Sequence, residues 1–275
     1  MLVGPMSEQF AGRPLQERWD RRPRRWVGER LRGLLKSRQV EASTVFVRRG
    51  GGWLNRNLTD PLRPPALERA RTIERQARAT QAMGPQRLWD GYRDIADYPR
   101  STVGARTSEE VRSEPLMGRI FAWIAATRRP ETIVEIGTAF GVSGMYWLAG
   151  LELVGRGTLH TFEANEHWGR IARTNLEAVS TRFQLTLGTF EDHARAVLGH
   201  RRVDIAFVDA IHTSAFVFAQ YEILKRHVAP GALILFDDIA FSEDMKACWR
   251  WLAALPEVHA SAEIGDRVGV IELVG

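Results

Sequence analysis

The chain has 275 residues, of which 44% are hydrophobic, so it can form one large domain or a domain with an appendage. Its single cysteine, Cys248, excludes an internal disulfide framework, and no apolar run is long enough to span a membrane, so we expect a cytoplasmic protein. The net charge is +5, but residues 1–50 alone hold 12 Lys/Arg and 5 Asp/Glu, so the positive charge belongs to an N-terminal arm.

Residues 1–105 form an Arg- and Trp-rich extension in which prolines and glycines leave room only for short elements. The patterns predict helices over residues 15–19, 24–35 and 65–83 and a short strand over residues 43–48. Two interpretations of this arm stay open. Its tryptophans pack on the main domain or on a partner subunit, which favours a homodimer, or its arginines bind nucleic acid.

Residues 106–275 alternate strand-like and helical patterns. A helix is predicted to begin at Ser108 and to continue through residue 125. This alternation predicts an α/β fold with a doubly wound, mostly parallel sheet, in which ligands bind beyond the carboxyl ends of the strands. The predicted strands cover residues 132–136, 158–162, 183–187, 203–208, 232–236 and 268–273. The other predicted helices cover residues 142–149, 168–179, 190–198, 216–228 and 242–255.

The first predicted strand runs into a glycine-bearing turn, Gly137-Thr-Ala-Phe-Gly141, and then into a helix. Such a turn brings backbone N–H groups against a ligand. The turn lacks the glycine spacing of a dinucleotide-binding loop and the lysine of a phosphate-binding loop. Glu163 ends the next strand, 28 residues after Glu135, and a carboxylate there suits the two hydroxyls of a ribose. The sequence therefore predicts a nucleoside-like cofactor held between two strand ends.

The run from Glu135 to Gly141 resembles the first motif of the class I S-adenosylmethionine-dependent methyltransferases. The resemblance implies that S-adenosylmethionine binds over this turn, that Glu163 holds its ribose and that Glu191, after the third strand, borders its adenine. An alternative for Glu191 is a helix-terminal charge favoured by the helix dipole. The implied cofactor-binding residues are Glu135, Gly137, Thr138, Gly141, Ser143, Glu163, Ala164, Gly188, Glu191 and Asp209.

Three aspartates follow the fourth and fifth predicted strands. Asp209 ends one strand, and Asp237 and Asp238 end the next. Carboxylates placed this close together repel one another unless a cation lies among them, and an all-oxygen set suits Mg²⁺ or a similar divalent ion. The alternative is that one or two of them are helix caps or solvated loop acids. His212, three residues after Asp209, is a candidate general base, since an imidazole can accept a proton near neutral pH.

This second set resembles the metal-dependent small-molecule O-methyltransferases of the catechol and macrolide-sugar types. The resemblance covers roughly residues 107–275 and assigns Asp209, Asp237 and Asp238 to the metal and His212 to the base. It implies methyl transfer to a metal-coordinated hydroxyl of a phenol, catechol or sugar in natural-product biosynthesis. Asp238 replaces the asparagine of the catechol enzymes and His212 replaces their lysine, so these residues depart from that type.

Two other functions are compatible with parts of the sequence. The basic arm could dock an RNA methyltransferase on its substrate, although the run Asp209-Ala-Ile-His212 differs from the Asn/Asp-Pro-Pro-aromatic motif of enzymes that methylate base nitrogens. A non-catalytic cofactor-binding protein would also need the glycine turn and Glu163, but it would not need the aspartates and His212.

Overall fold

The computed structural model describes residues 41–94 and 104–275. The predicted helices at residues 15–19 and 24–35, together with most of the basic arm, lie outside the described residues. The described residues belong to one compact unit that covers Val40–Gly275. Within them, no helix is long and apolar enough to cross a membrane.

An eight-stranded sheet organises the described residues. Its strands are β1 (Thr44–Arg48), β4 (Thr132–Ile136), β5 (Thr158–Glu163), β6 (Phe183–Leu187), β7 (Val203–Val208), β8 (Val228–Phe236), β9 (Val258–Ile264) and β10 (Val268–Leu273), while β2 (Gln86–Arg87) and β3 (Ala105–Arg106) pair separately. The order across the sheet is β1-β9-β10-β8-β7-β4-β5-β6. Strands β8 to β6 are parallel, and β10, β9 and β1 extend the sheet by antiparallel pairing. The predicted mostly parallel α/β fold is therefore confirmed.

Helices connect the strands and cover the sheet. They are α1 (Trp53–Asn57), α2 (Ala70–Ala82), α3 (Ser108–Val111), α4 (Pro115–Arg128), α5 (Val142–Val154), α6 (Glu166–Glu177), α7 (Phe190–Leu198), α8 (Ser214–Leu224) and α9 (Glu243–Ala253), with a 3₁₀ helix at Asp90–Asp94. The prediction of one continuous helix from Ser108 was wrong. Arg112 leaves the helical conformation, and Pro115 begins a new helix at a position where a missing N–H costs little.

The central strands are buried on both faces, which explains why apolar residues stand next to one another in their sequences. In β4, Ile133 packs into a cluster with Trp147 of α5, while Val134 and Ile136 belong to a second cluster on the opposite face. Phe121 of α4 stacks on Trp147 with ring centroids 4.7 Å apart. The sheet is thus a rigid layer between two cores, and its strand ends are fixed points for side chains.

The described part of the N-terminal extension adds to this same sheet. The predicted strand at residues 43–48 is confirmed as β1, which pairs with β9 at the edge of the sheet. Glu272 of β10 is buried, and its carboxylate accepts hydrogen bonds from the backbone N–H groups of Trp53 (2.6 Å) and Leu54 (2.8 Å). This carboxylate satisfies the free donors at the start of α1 and ties the extension to the core.

Candidate functional site

The glycine turn lies between β4 and α5, as predicted. Gly137 and Gly141 have φ of 97° and 82°, in the left-handed region that favours glycine. A Cβ atom on Gly137 would clash with the backbone carbonyl of Asp209, which follows β7. The turn therefore packs directly on the neighbouring strand end, and a side chain at residue 137 would separate the two.

Glu163, at the end of β5, holds the turn in place. One of its carboxylate oxygens accepts a hydrogen bond from Ala139 N (2.7 Å) and the other accepts one from Asn165 N (2.7 Å). Burial raises the pKa of Glu163 to about 7, against the opposing effect of these two hydrogen bonds. A carboxylate has about four lone-pair sites, so Glu163 retains acceptors for a ribose diol.

Glu135 lies beneath the turn and is fully buried. Its Oε2 accepts a hydrogen bond from the Thr161 hydroxyl (2.7 Å), which in turn contacts the Thr138 hydroxyl, and Ser143 also hydrogen-bonds to the carboxylate. Burial raises the pKa of Glu135 to about 7. Its Oε1 has no partner among the described residues. A buried acceptor without a donor fits a site that gains hydrogen bonds when its cofactor is bound.

The end of β6 lies beside these residues. Ala164 directly follows Glu163, and Gly188 donates its N–H to the Glu163 carbonyl (2.8 Å). A Cβ atom on Gly188 would clash with the His193 ring. Glu191 is in the first turn of α7, as expected for a helix-terminal charge, which is the alternative interpretation of this residue. It accepts a hydrogen bond from Gln220 (2.8 Å). Its contact with adenine stays a prediction. We call the turn at residues 137–141, with Glu163, the cofactor half of the site.

The three aspartates and His212 come together at the ends of β7 and β8. His212 Nε2 lies 3.6 Å from Asp238 Oδ2 and 3.8 Å from Asp209 Oδ1. Burial, and then the charge of Asp237, raise the pKa of Asp209 well above its usual range. The prediction that strand ends would gather these side chains was made from topology alone, and their distances agree with it.

Arg267 is the cation among these carboxylates, and sequence reasoning missed it. Its Nε and Nη2 donate to the two oxygens of Asp237 at 2.8 and 2.6 Å, and its Nε lies 3.5 Å from Asp238. Burial alone would raise the pKa of Asp237, but these hydrogen bonds hold it below its usual value. We call Asp209, His212, Asp237, Asp238 and Arg267 the reaction half of the site.

This arrangement does not fit the predicted divalent metal. Each carboxylate oxygen of Asp237 accepts a hydrogen bond from the guanidinium of Arg267, so a metal ion on Asp237 would lie close to a second positive charge. Across the part of the chain that the structure describes, no group of three or more His, Cys, Asp or Glu side chains is arranged to hold one. The sequence predicts a positive charge among these carboxylates, and Arg267 provides one in this structure.

The loop that carries His212 is fixed from a neighbouring helix. Asp244, in the first turn of α9, accepts hydrogen bonds from the backbone N–H and the hydroxyl of Ser214, both at 2.7 Å. The ring of His212 lies 5.5 Å from the ring of Phe241, centroid to centroid. These contacts restrict the position of the imidazole, as a catalytic group requires.

A concave pocket connects the two halves. It is lined by residues 111–113, 137–140, 142 and 143, together with Asp209. Arg112, only 5% exposed, forms an ion pair with Glu74 of α2 (2.5 Å) and a second one with Glu109 (3.2 Å). Sequence reasoning also missed this pair, because Glu74 and Arg112 are 38 residues apart. The pocket puts the glycine turn and the aspartate after β7 on one continuous surface.

Comparisons with known proteins agree with this architecture. Residues 134–239, which include the glycine turn and all three aspartates, match a family described as a methyltransferase domain. An O-methyltransferase, ankF, of Aspergillus thermomutatus is 27% identical over 159 residues, which cover 52% of this chain and 60% of that protein. The chain thus matches less than two thirds of the length of this relative.

Solved structures show the same fold at low identity. An O-methyltransferase from Bacillus cereus in complex with SAH is 20% identical, with a TM-score of 0.55 over 74% of this chain and 91% of that one. TomG from Streptomyces achromogenes, an O-methyltransferase involved in tomaymycin synthesis and solved with SAM, is 18% identical, with a TM-score of 0.52 over 76% and 100%. The fold is that of the class I S-adenosylmethionine-dependent methyltransferases, and residues 134–239 match a methyltransferase domain.

Proposed function

We propose that this protein is an S-adenosylmethionine-dependent O-methyltransferase that acts on a hydroxyl group of a small molecule. The observation that carries the proposal is the position of His212. Its Nε2 lies within 3.8 Å of two carboxylates, on the strand end next to the glycine turn. A histidine supported by acids and adjacent to a methyl donor site is suited to remove a proton from an oxygen nucleophile.

The cofactor half is suited to hold S-adenosylmethionine, which supplies an electrophilic methyl group on its sulfonium. Glu163 accepts the ribose hydroxyls with its remaining lone pairs, and the glycine turn allows close approach of the backbone. The residues after β6, Gly188 and Glu191, border the adenine. These assignments follow from the family resemblance and from the hydrogen bond that Glu163 accepts from Ala139 of the turn.

The reaction half prepares the acceptor. As the new oxygen–carbon bond forms, the bond between the sulfonium and the methyl group breaks, and S-adenosylhomocysteine leaves with the electron pair on its sulfur. His212 Nε2 takes the hydroxyl proton and later releases it to solvent, so the oxygen attacks with the charge of an alkoxide or phenoxide. Asp238, 3.6 Å from Nε2, stabilises the imidazolium that results. We place the methyl donor and the acceptor at the pocket that the glycine turn and Asp209 line, where close positioning would favour the reaction.

The acceptor class follows from the sequence resemblance and stays a proposal. The proposed substrate is a phenol, catechol or sugar of natural-product biosynthesis. The proposed location of the protein is the cytoplasm. The known roles of the relatives, such as tomaymycin synthesis for TomG, are compatible with this. The sequence prediction of Mg²⁺ at the aspartates stays a prediction, and the contacts of Arg267 are the observation against it.

Transfer of a deuterated methyl group tests this function. The purified full-length protein is incubated with S-(methyl-d₃)-adenosylmethionine and a panel of phenols, catechols and glycosides, and mass spectrometry follows the label. We expect a labelled product whose methyl group lies on oxygen by NMR. Transfer to nitrogen or carbon only, or labelling of RNA but of none of the hydroxylated compounds, would overturn the proposal.

A further inference from the structure

Arg267 reaches the carboxylate cluster from outside the parallel part of the sheet. It is the last residue of the three-residue turn between the antiparallel strands β9 and β10, where Val268 pairs with Ile264. Gly265 and Asp266 have φ of 64° and 57°, so the turn is tight and bends sharply. This hairpin places a guanidinium at the end of β8 with little freedom to withdraw.

Two contacts fix Arg267 at this place. Its backbone carbonyl accepts a hydrogen bond from Ile239 N (3.0 Å), the residue directly after Asp238. Its guanidinium binds Asp237 through two parallel hydrogen bonds, and the Asp237 side chain is only 1% exposed. A planar fork that meets a buried carboxylate in this way is a strong and directional interaction, unlike an ion pair at the surface.

The guanidinium and a divalent ion compete for the same oxygens. Mg²⁺ requires near-octahedral oxygen ligands at about 2.0–2.1 Å and accepts little distortion. Arg267 donates to both oxygens of Asp237 and lies 3.5 Å from Asp238. A divalent ion bound between these aspartates would therefore be repelled by the positive charge of the guanidinium. Either cation offsets the charge of the carboxylates, and at contact distance each one weakens the binding of the other.

We propose that Arg267 is the built-in cation of this site, and that methyl transfer by this protein needs no divalent metal. Arg267 acts as a positioning residue. It holds Asp237 in place and orients Asp238, whose other oxygen faces Nε2 of His212. The part of this proposal that concerns catalysis rests on the proposed function, whereas the exclusion of a metal ion from the cluster can be tested without any substrate.

Binding of Mn²⁺ alone tests the exclusion. Electron paramagnetic resonance measures free Mn²⁺ during titration of the full-length wild type, Arg267→Gln and Arg267→Lys. We expect no site-bound Mn²⁺ in the wild type up to about 1 mM, the range of weak carboxylate sites. Arg267→Gln should bind one Mn²⁺ at least about tenfold more tightly than the wild type, since one positive charge within contact distance is removed. Arg267→Lys, which keeps the charge, should bind as weakly as the wild type.

Asp237→Asn is the second variant and keeps the test decisive if Arg267→Gln fails to fold. One Mn²⁺ bound by the wild type below about 0.1 mM and lost in Asp237→Asn would overturn the proposal, because Asp237 would then be a metal ligand. If Arg267→Gln binds Mn²⁺, adding Asp237→Asn to it should abolish the binding again. Continued binding in that double variant would show a site elsewhere and would also contradict the proposal.

Chelator separates this proposal from the proposed function. With an acceptor found by deuterium transfer, the wild-type rate should change less than about twofold in excess EDTA, which corresponds to about 0.4 kcal/mol in the activation free energy. A rate that collapses in EDTA and returns with Mg²⁺ would overturn the role of Arg267 and leave the O-methyltransferase intact. A protein that transfers no methyl group but excludes Mn²⁺ would overturn the function and leave the exclusion of metal standing.

Discussion

The cofactor half and the reaction half of the site are built from different kinds of contact. In the cofactor half, Glu163 is joined to the glycine turn by a hydrogen bond from the backbone N–H of Ala139, 24 residues earlier. In the reaction half, side chains meet side chains, and Arg267 reaches Asp237 across 30 residues from a different strand pair. Contacts to backbone N–H groups tolerate changes of the side chains on that backbone. The reaction half, by contrast, depends on the identity of every side chain in it.

This difference separates binding from chemistry. The cofactor half offers acceptors and close backbone approach, and it includes no histidine that faces the pocket among the residues described. The reaction half holds the only base that we assign, together with the charges that fix its position. The two halves touch where Gly137 packs on the carbonyl of Asp209. Substitutions in one half should therefore change affinity or turnover separately, and substitutions at the contact should change both.

The largest expected effect belongs to the reaction half. His212→Ala should lower kcat for methyl transfer by about 10³-fold, because the acceptor hydroxyl keeps its proton. The matched control is His200→Ala, at an exposed histidine after α7, which should transfer at the wild-type rate. A steady-state assay of labelled product checks both. Equal rates for wild type and His212→Ala would assign the base to another group.

The contact between the halves is the next most sensitive place. Gly137→Ala puts a methyl group against the backbone of Asp209 at a φ of 97°, so we expect a loss in unfolding free energy on the order of 4 kcal/mol. Gly155→Ala is the control, since Gly155 has a φ of 68° but no neighbouring atom within 4 Å of an added Cβ. It should lose only about 1 kcal/mol from backbone strain. Urea unfolding followed by circular dichroism measures both, and equal losses would deny the importance of the contact.

Glu135, which lies beneath the cofactor half, makes the unfolding free energy of the protein depend on pH. Burial raises the pKa of Glu135 to about 7 in the folded state, against an ordinary value of 4.5. Between pH 4.5 and pH 7, Glu135 is therefore protonated in the folded protein and ionised in the unfolded chain. Stability is therefore greater below pH 4.5 and falls as the pH rises to 7, by about 3 kcal/mol for this group. Glu135→Gln should remove that fall, and Glu177→Gln, at an exposed residue of α6, should not. The unfolding free energies of the wild type and both variants are measured at pH 5 and pH 7.5. If the unfolding free energy of Glu135→Gln changed with pH as much as that of the wild type, Glu135 would not be the source of the pH dependence.

Sequence reasoning reached the cofactor half because that half is local. The turn, Glu135 and Glu163 belong to two successive strands, and their spacing is a property of one strand–helix–strand unit. It also placed Asp209, Asp237 and His212 at one edge, because all parallel strands end on the same side. These predictions depend on topology, which the alternation of strands and helices determines.

Arg267 was not found because β9, the first strand of its hairpin, was not predicted. The segment Val258–Ile264 is mostly buried, but its alanines and polar residues give only a weak strand signal. Without β9, the turn at residues 265–267 did not appear as a hairpin, and no cation could be assigned to the aspartates. The repulsion among three carboxylates did indicate that a positive charge was needed. Sequence alone could not show whether an ion or a side chain supplied it.

The central claim is that one half of the site binds the cofactor and the other half carries out the reaction. Isothermal titration of S-adenosylmethionine into Glu163→Gln and His212→Ala tests it most directly. Loss of one charged acceptor should weaken binding by Glu163→Gln about tenfold, and His212→Ala should bind within about twofold of the wild type. The opposite result, with normal affinity in Glu163→Gln and a large loss in His212→Ala, would contradict the division of the site.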